Sequence, residues 1–373
     1  MPRSGIRVIL DLAQRSGVIH LEIGQPDFPT PTHIVEAADA AARAGHTGYT
    51  ANAGLPELRE AISSTIARDN GVETSPDHVV VTVGAMGALY AASVAVLEPG
   101  DQVLVPDPGY PNYQMAATLC GSESVCYPLL PENGYQPDLE ALHAMIGPRS
   151  KAIIVNSPSN PTGAVLSAAS LQAVVDLAER HDLYVISDEC YEKILFDGAH
   201  ISAASLAPGS DRFFTISSVS KSYAMTGWRL GYVVAPAPIA PHLAKLQESM
   251  VSCAPILSQH AAIAALTGPQ DAVDEMCAAY RRRRDLAVEL LRPHGLCRYQ
   301  PGGAFYLLLD LPGDVTDTYE YSKRLLCERD VAVAPGETFG ARGAGRVRIS
   351  LANSEELLRE GIERLIEFAL GIG

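Results

Sequence analysis

Residues 217–232 read SSVSKSYAMTGWRLGY, from Ser217 to Tyr232. Lys221 stands among small and hydroxyl side chains, and Arg229 follows eight positions later. The apolar runs at 213–216 before it and 230–234 after it read as two buried strands. Lys221 is therefore expected on a turn between strands, held by rigid scaffold on both sides. A desolvated lysine amine has a lowered pKa and condenses with carbonyls to form a Schiff base. A lone lysine in a polar loop is ordinarily a surface residue. Here Ser217, Ser218, Ser220, Thr226 and Arg229 surround it with groups able to hold an anion, and an anion beside a Schiff-base lysine points to pyridoxal phosphate.

The rest of the chain sets bounds on that reading. It has 373 residues, 47% of them hydrophobic, which is enough for a large core and for more than one domain. No apolar run reaches the roughly 18 residues of a membrane-spanning helix. The opening MPRSGIRVILDLAQRSG has two early arginines, and Asp11 and Gln14 break its apolar stretch. That is not a secretory pattern, and a cytoplasmic location is the expectation. Seven cysteines, at 120, 126, 190, 253, 277, 297 and 327, are odd in number and lack metal-ligand spacing. They argue against a disulfide framework or a metal site and are expected mostly as small buried hydrophobes. The formal charge of −15 disfavours nucleic acid and anionic membranes as partners. A local arginine cluster can still focus anionic substrates.

Between residues 78 and 234 the pattern is strand, turn, helix, repeated. A β-branched strand at 78–83 runs into Gly84, Ala85, Met86 and Gly87, then a helix at 88–97. Such a turn aims the free N–H groups of Ala85 and Met86, and a helix dipole, at a phosphate. A strand at 102–106 ends in DPGYPNY, where Tyr110 or Tyr113 offers an aromatic face suited to a pyridinium. The strand at 152–155 leads to NSPSNPTG, with Asn160 ahead of Pro161, which favours extended backbone at the asparagine. After a helix at 167–181, a strand at 183–187 carries Asp188 at its carboxyl end and Tyr191 three residues on. A buried carboxylate there is costly unless a cation pairs with it. Candidate residues at the carboxyl ends of strands are what an open, mostly parallel α/β sheet uses to bind ligands.

Outside this region, HLEIGQPDFPTP (20–31) reads as an extended segment with tight turns, and a helix at 32–43 follows. Leu55 and Pro56 open another helix after the turn that holds Tyr49. Residues 240–266 read as helical. So do 271–292, where Arg281, Arg282, Arg283 and Arg284 are expected to be a solvated face. Strands near 297–311, 331–334 and 346–351, with helices after Thr318 and after Ser354, make a smaller α+β unit. Arg346 and Arg348 stand two apart on one strand, with Arg346 expected toward solvent.

The stretch around Lys221 closely resembles the lysine-site motif of the class I and II aminotransferases, the aspartate aminotransferase-like, fold-type I pyridoxal-phosphate enzymes. Separated motifs carry the resemblance in order from Gly24 to Arg348. It implies an α/β protein: a large cofactor domain over 40–268 with a mostly parallel sheet of the seven-stranded type, and a small α+β domain from 1–39 together with 269–373. It implies pyridoxal 5′-phosphate on Lys221 as a Schiff base, and no metal. The phosphate would be held by Arg229, Ser218 and the Ala85 and Met86 backbone, with Ser220 as a further helper and Tyr49 reaching across a homodimer interface. Tyr110 would stack on the ring, Asp188 would bind its nitrogen, and Tyr191 and Asn160 its hydroxyl. Gly24, Asn160 and Arg348 would take the substrate, Arg348 gripping the α-carboxylate with a bidentate fork. Met86 departs from the hydroxyl residue that relatives often carry there, which removes one side-chain donor.

The implied reaction is ping-pong transamination between an L-amino acid and a 2-oxo acid. The same fold and lysine also serve β-lyases, decarboxylases, racemases and cyclopropane-forming synthases, and a cofactor-sensing regulator is a reading from another class. For the substrate side chain, Gln25, Phe28, Tyr110, Phe305 and Tyr306 are candidates for a neutral or aromatic pocket. Arg7 and Arg15 are the candidate cations for a distal carboxylate. Glutamate is the expected donor on family grounds, with aspartate, alanine and aromatic amino acids behind it.

Overall fold

The computed structural model describes residues 5–313 and 315–371. In chain order its strands are β1 (Ile19–His20), β2 (Val79–Thr82), β3 (Gln102–Asp107), β4 (Glu123–Pro128), β5 (Ser150–Asn156), β6 (Tyr184–Asp188), β7 (Phe213–Ser218), β8 (Gly231–Val234), β9 (Tyr306–Asp310), β10 (Val331–Ala332), β11 (Ala334–Pro335) and β12 (Arg346–Ser350). Strands β2 to β8 form one seven-stranded sheet in the order β2-β8-β7-β6-β5-β3-β4. Only β8 runs against its neighbours. The carboxyl ends of the other six strands therefore share one edge. Chain order reverses at β3, which pairs with β4 on one side and β5 on the other, and that switch is where such sheets open a crevice.

The sequence of these strands explains the arrangement. β2 reads VVVT and β7 reads FFTISS, and every residue of both is buried. Continuous burial is the mark of a sheet covered by helices on both faces. Successive side chains alternate between faces. Val103, Val105, Ile154 and Ile186 pack with Leu89 and Ala92 of the helix Gly84–Val96. Leu104, Ile153, Val155 and Val185 pack with Leu171, Val174 and Val175 of the helix Ala168–Arg180. A second assembly combines the three-stranded sheet β11-β12-β9 with the parallel pair β1-β10, where Ile19 lies beside Val331. Ile19 and Leu21 share its core with Leu307, Val347, Leu358 and Ile362.

Several local expectations need correction. Lys221 sits on a one-turn helix, Val219–Ser222, rather than a turn. The helix after β2 starts at Gly84, four residues early, because Gly84 takes a left-handed φ of +69° that bends the chain straight from strand into helix. The helical stretch at 240–266 is two helices, Ala240–Met250 and Ile256–Thr267, divided near Ser252, whose φ is +64°. The arginine run is only half solvated. Arg283 and Arg284 are 6% and 4% exposed. Arg283 donates to both oxygens of Asp27 at 2.8 Å, and Arg284 donates to the Pro301 carbonyl at 2.6 Å. Arg346 pairs with Asp310 at 2.9 Å instead of facing solvent. Of the cysteines, Cys190 and Cys297 alone are buried. An N-terminal helix, Gly5–Leu12, has no counterpart in the sequence reading; Ile9 anchors it against Leu326 and Ala332.

Candidate active site

A cavity of about 870 Å³ lies at the shared strand edge. Gly24, Ala85, Met86, Tyr110, Asn160, Asp188, Tyr191, Ser218, Lys221, Arg229 and Arg348 all line it. Five of the six strand ends contribute: Ala85 and Met86 follow β2, Tyr110 follows β3, Asn160 follows β5, Asp188 closes β6, and Ser218 closes β7. Tyr49 is the exception, at 91% exposure and outside the cavity.

Lys221 Nζ donates to the Gly24 carbonyl at 2.5 Å and stands 5.9 Å from the centre of the Phe305 ring. Burial lowers its pKa to about 8, and the nearby Arg348 and Arg229 charges push the same way. Near neutral pH a useful fraction is then free amine, the form that attacks a carbonyl. A Cβ on Gly24 would overlap the Tyr306 hydroxyl, so glycine is what lets this carbonyl reach the lysine.

At one end of the cavity are anion-binding groups. Val83 precedes the helix Gly84–Val96, and no side chain caps it, so its first-turn N–H groups, including those of Ala85 and Met86, lack intrahelical partners. Arg229 lies over this end. Its guanidinium would meet a Cβ placed on Gly84, and it donates to the Thr226 carbonyl at 2.9 Å. Its φ of +53° is left-handed, a conformation that costs a non-glycine residue about 1–3 kcal/mol. Gly231 faces the Ala85 nitrogen, where a Cβ would force the helix off the sheet.

At the other end Asp188 Oδ2 accepts from Tyr113 Oη at 2.7 Å, and Oδ1 from the Cys190 N–H at 3.2 Å. Burial raises its pKa, and no cation among the described residues forms an ion pair with it. Tyr110 meets Tyr113 edge to face at 5.7 Å, its hydroxyl takes a bond from Asn112 at 3.1 Å, and burial pushes its pKa up to about 12. Tyr191 and Tyr306 share a hydroxyl bond of 2.9 Å. Asn156 accepts from the Asn160 N–H at 2.8 Å and donates to the Asp188 carbonyl at 3.0 Å, which ties the ends of β5 and β6 together.

Arg348 is 1% exposed. It donates to Asn160 Oδ1 at 2.9 Å and to the Glu22 carbonyl at 2.5 Å, over the Tyr306 ring at 4.2 Å, while its buried Nε has no partner. Of the other pocket candidates, Gln25, Tyr306 and Arg7 line the cavity, with Ile6, Leu10, Ile23 and Leu89 beside them. Phe28 instead packs on Tyr280 and Arg283, and Arg15 pairs with Asp330 at 2.6 Å. Sequence reasoning missed the tie from Tyr113 to Asp188; its spacing of three from Tyr110 at a helix start was the available signal.

These residues fit a pyridoxal phosphate. A buried carboxylate without a cation suits a pyridinium N–H, uncapped helix donors beside a guanidinium suit a phosphate, and a buried arginine with a free N–H suits a carboxylate. The chain also matches known proteins. The profile of the family described as aminotransferase class I and II matches residues 16–365. The aspartate/prephenate aminotransferase of Thermus thermophilus is 42% identical over 356 residues, covering 94% of this chain and 91% of that protein. The arginine–pyruvate transaminase of Pseudomonas aeruginosa is 40% identical over 360 residues, covering 96% and 92%. Among solved structures, the Thermus thermophilus aspartate aminotransferase with maleate superposes with a TM-score of 0.94 at 40% identity, covering 99% of this chain and 97% of that one.

Proposed function

The chain belongs to the class I and II aminotransferases and is an aminotransferase of the pyridoxal-phosphate-using kind, and from that premise we propose that Lys221 is its cofactor lysine and its proton-transfer base. The observation that carries this is a buried lysine amine, its pKa lowered to about 8, in one cavity with an Asp188 carboxylate that forms no ion pair among the described residues. When bound, pyridoxal phosphate supplies an electron sink conjugated to the substrate α-carbon.

The chain's own groups do the rest. Arg229, Ser218 and the Ala85 and Met86 N–H groups fix the phosphate, with Ser220 beside them, and so fix the orientation of the ring. Asp188, held by Tyr113, accepts the ring N–H and keeps that proton in place. Tyr110 would cover one face of the ring, and Tyr191 and Asn160 would hold its hydroxyl. Arg348 and Asn160 grip the substrate α-carboxylate, and Gly24 gives the substrate room. The Lys221 amine, within the cavity, would take the substrate α-proton and carry it for return. An L-amino acid leaves as its 2-oxo acid before a second 2-oxo acid enters, the ping-pong order.

The exposed Tyr49 supports a homodimer in which that side chain reaches the partner's phosphate site. The division into 40–268 and 1–39 with 269–373, and a cytoplasmic location, complete the proposal. The apolar wall of Ile6, Leu10, Ile23 and Leu89 favours donors with neutral or aromatic side chains, and Arg7 and Gln25 at the same cavity leave glutamate as a further donor. The relatives' names span aspartate, prephenate, arginine and aromatic substrates, so side-chain choice has to be measured.

Absorbance spectra of the holoenzyme, recorded as single amino acids are added, test this reading. Loss of the visible cofactor band with formation of the matching 2-oxo acid is the expected result, and it identifies the donor. Pyruvate with ammonia, carbon dioxide, or a racemised amino acid in place of the oxo acid would replace transamination with another reaction on the same lysine.

A further inference from the structure

Behind the strand end that carries Asp188 and Tyr191 lies a second set of ionisable groups that the chemistry above leaves unused. In the run Asp188, Glu189, Cys190, Tyr191, Glu192, the first, third and fourth residues line the cavity, while Glu189 and Glu192 do not. Glu189 is 1% exposed. Its Oε1 accepts from the Ser187 and Ser202 hydroxyls at 2.7 and 2.9 Å and from the Ala203 N–H at 3.3 Å. Its Oε2 accepts from His200 Nε2 at 2.8 Å and, at 3.4 Å, from Asn70 Nδ2. The same Asn70 amide donates to Glu192 Oε2 at 2.7 Å, and the Ser217 hydroxyl donates to Glu192 Oε1 at 3.1 Å. The backbone is tied as well: the Glu189 N–H donates to the Ile216 carbonyl at 2.8 Å, and the Glu192 N–H to the Glu189 carbonyl at 2.9 Å.

The ligand-type atoms of Glu189, Glu192 and His200 lie within 4.8 Å of one another. Every oxygen of the two carboxylates already has a donor within the chain, so the cluster is a closed clamp and not a cation site. We propose that Glu189, gripped by His200 and joined to Glu192 through Asn70, is a positioning residue that sets Asp188 and Tyr191 in the cavity, and that Glu192 extends the clamp to β7 through Ser217, next to Ser218. This rests on the reading of Asp188 and Tyr191 as cofactor contacts.

The geometry makes the coupling direct. Glu189 and Glu192 stand on the tight turn that leaves β6, closed by the bond from the Glu192 N–H to the Glu189 carbonyl, so pinning the two glutamates limits the directions open to Asp188 and Tyr191 on the same turn. The clamp joins four pieces of chain: the end of the helix Pro56–Asn70, the β6 end, the β7 end and the loop at 200–203. Buried ion pairs add little net stability but fix one arrangement strongly, because an alternative strands a charge. Burial pushes the Glu189 carboxyl up, and pairing with His200 more than reverses this and holds it below its usual range. Burial lowers the His200 imidazole, and the Glu189 carboxylate, with Glu192 behind it, raises it above its usual value. Burial raises Glu192, with only partial relief from His200 and Asn70. The other charged and titratable groups facing the clamp are Asp188, Lys193 with its partner Asp69, Arg68 on Asp69, Tyr223 and Tyr232.

The test compares Glu189→Gln and His200→Gln with Leu365→Ala, which cuts into the core of the second assembly from the helix Glu355–Leu370 and serves as a stability control. Each variant is prepared as holoenzyme and scored for the pH titration of its cofactor absorbance, for kcat and KM, and for Tm. Both clamp variants are expected to move the apparent pKa of the chromophore by about half a unit or more. They are also expected to lose about 10- to 100-fold in kcat, with KM little changed. Leu365→Ala should lower Tm alone. Clamp variants that lose Tm but keep the wild-type titration and kcat would overturn the proposal. If Glu189→Gln does not fold, the titration of His200→Gln decides by the same criteria. A wild-type protein with no chromophore would overturn the Lys221 reading instead, a separate outcome.

Discussion

Replacing Lys221 with alanine is expected to cut transamination by at least about 10⁴-fold, because the change removes both the Schiff-base amine and the positioned proton carrier, the latter alone worth about 10²- to 10⁴-fold. The fold should survive. The one-turn helix Val219–Ser222 is anchored by buried Val219, Ser220 and Ser222, whereas the lysine points into the cavity. The phosphate-end groups are untouched, so the variant should still bind pyridoxal phosphate, more weakly and without the visible band of the lysine adduct. Turnover assays and cofactor binding by fluorescence on the purified variant measure both. Wild-type turnover in a folded Lys221→Ala protein would end the assignment.

Arg348→Ala has the second-largest expected effect, and on a different parameter. A buried, charge-assisted pair loses about 2–5 kcal/mol when one partner is truncated, which corresponds to a rise in KM of roughly 30- to 5,000-fold. The rise should appear for every amino acid, since the α-carboxylate is common to all of them. The substitution also leaves Asn160 Oδ1 and the Glu22 carbonyl without their donor, so some loss of kcat is expected with it. The cofactor band should persist, because Asp188, Tyr191 and Lys221 do not hydrogen-bond Arg348. Unchanged apparent affinity for all amino acids would move the carboxylate site elsewhere. Arg346 is a poor substitute, since Asp310 already holds it at 2.9 Å.

What the sequence made legible, and what it hid, follows from the range of each interaction. The strand-end residues Lys221, Asp188, Asn160 and Tyr110 could be read because a β-branched run followed by a break marks the carboxyl end of a strand, and short motifs mark which side chain follows. Arg348 was legible from its place in the order of family motifs; the two-residue period of β12 gives Arg346 the same face and does not choose between them. The clamp behind Asp188 was not, because Glu189 and Glu192 are local while Asn70 and His200 come from distant chain. The same holds for Arg283 and Arg284. A run of four arginines looks solvated until Asp27 and Pro301 arrive from elsewhere. The N-terminal helix Gly5–Leu12 is too short to be stable alone, and it forms on contacts with Leu326 and Ala332 that no local pattern announces. Tyr49 stands 91% exposed in the single chain, so the reading of its role requires a second subunit.

The most direct measurement is to reduce the holoenzyme with borohydride, digest it, and locate the cofactor adduct by mass spectrometry. The account predicts a single pyridoxyl modification on the peptide that carries Lys221. A modification on any other lysine, or none after loading with pyridoxal phosphate, would contradict it.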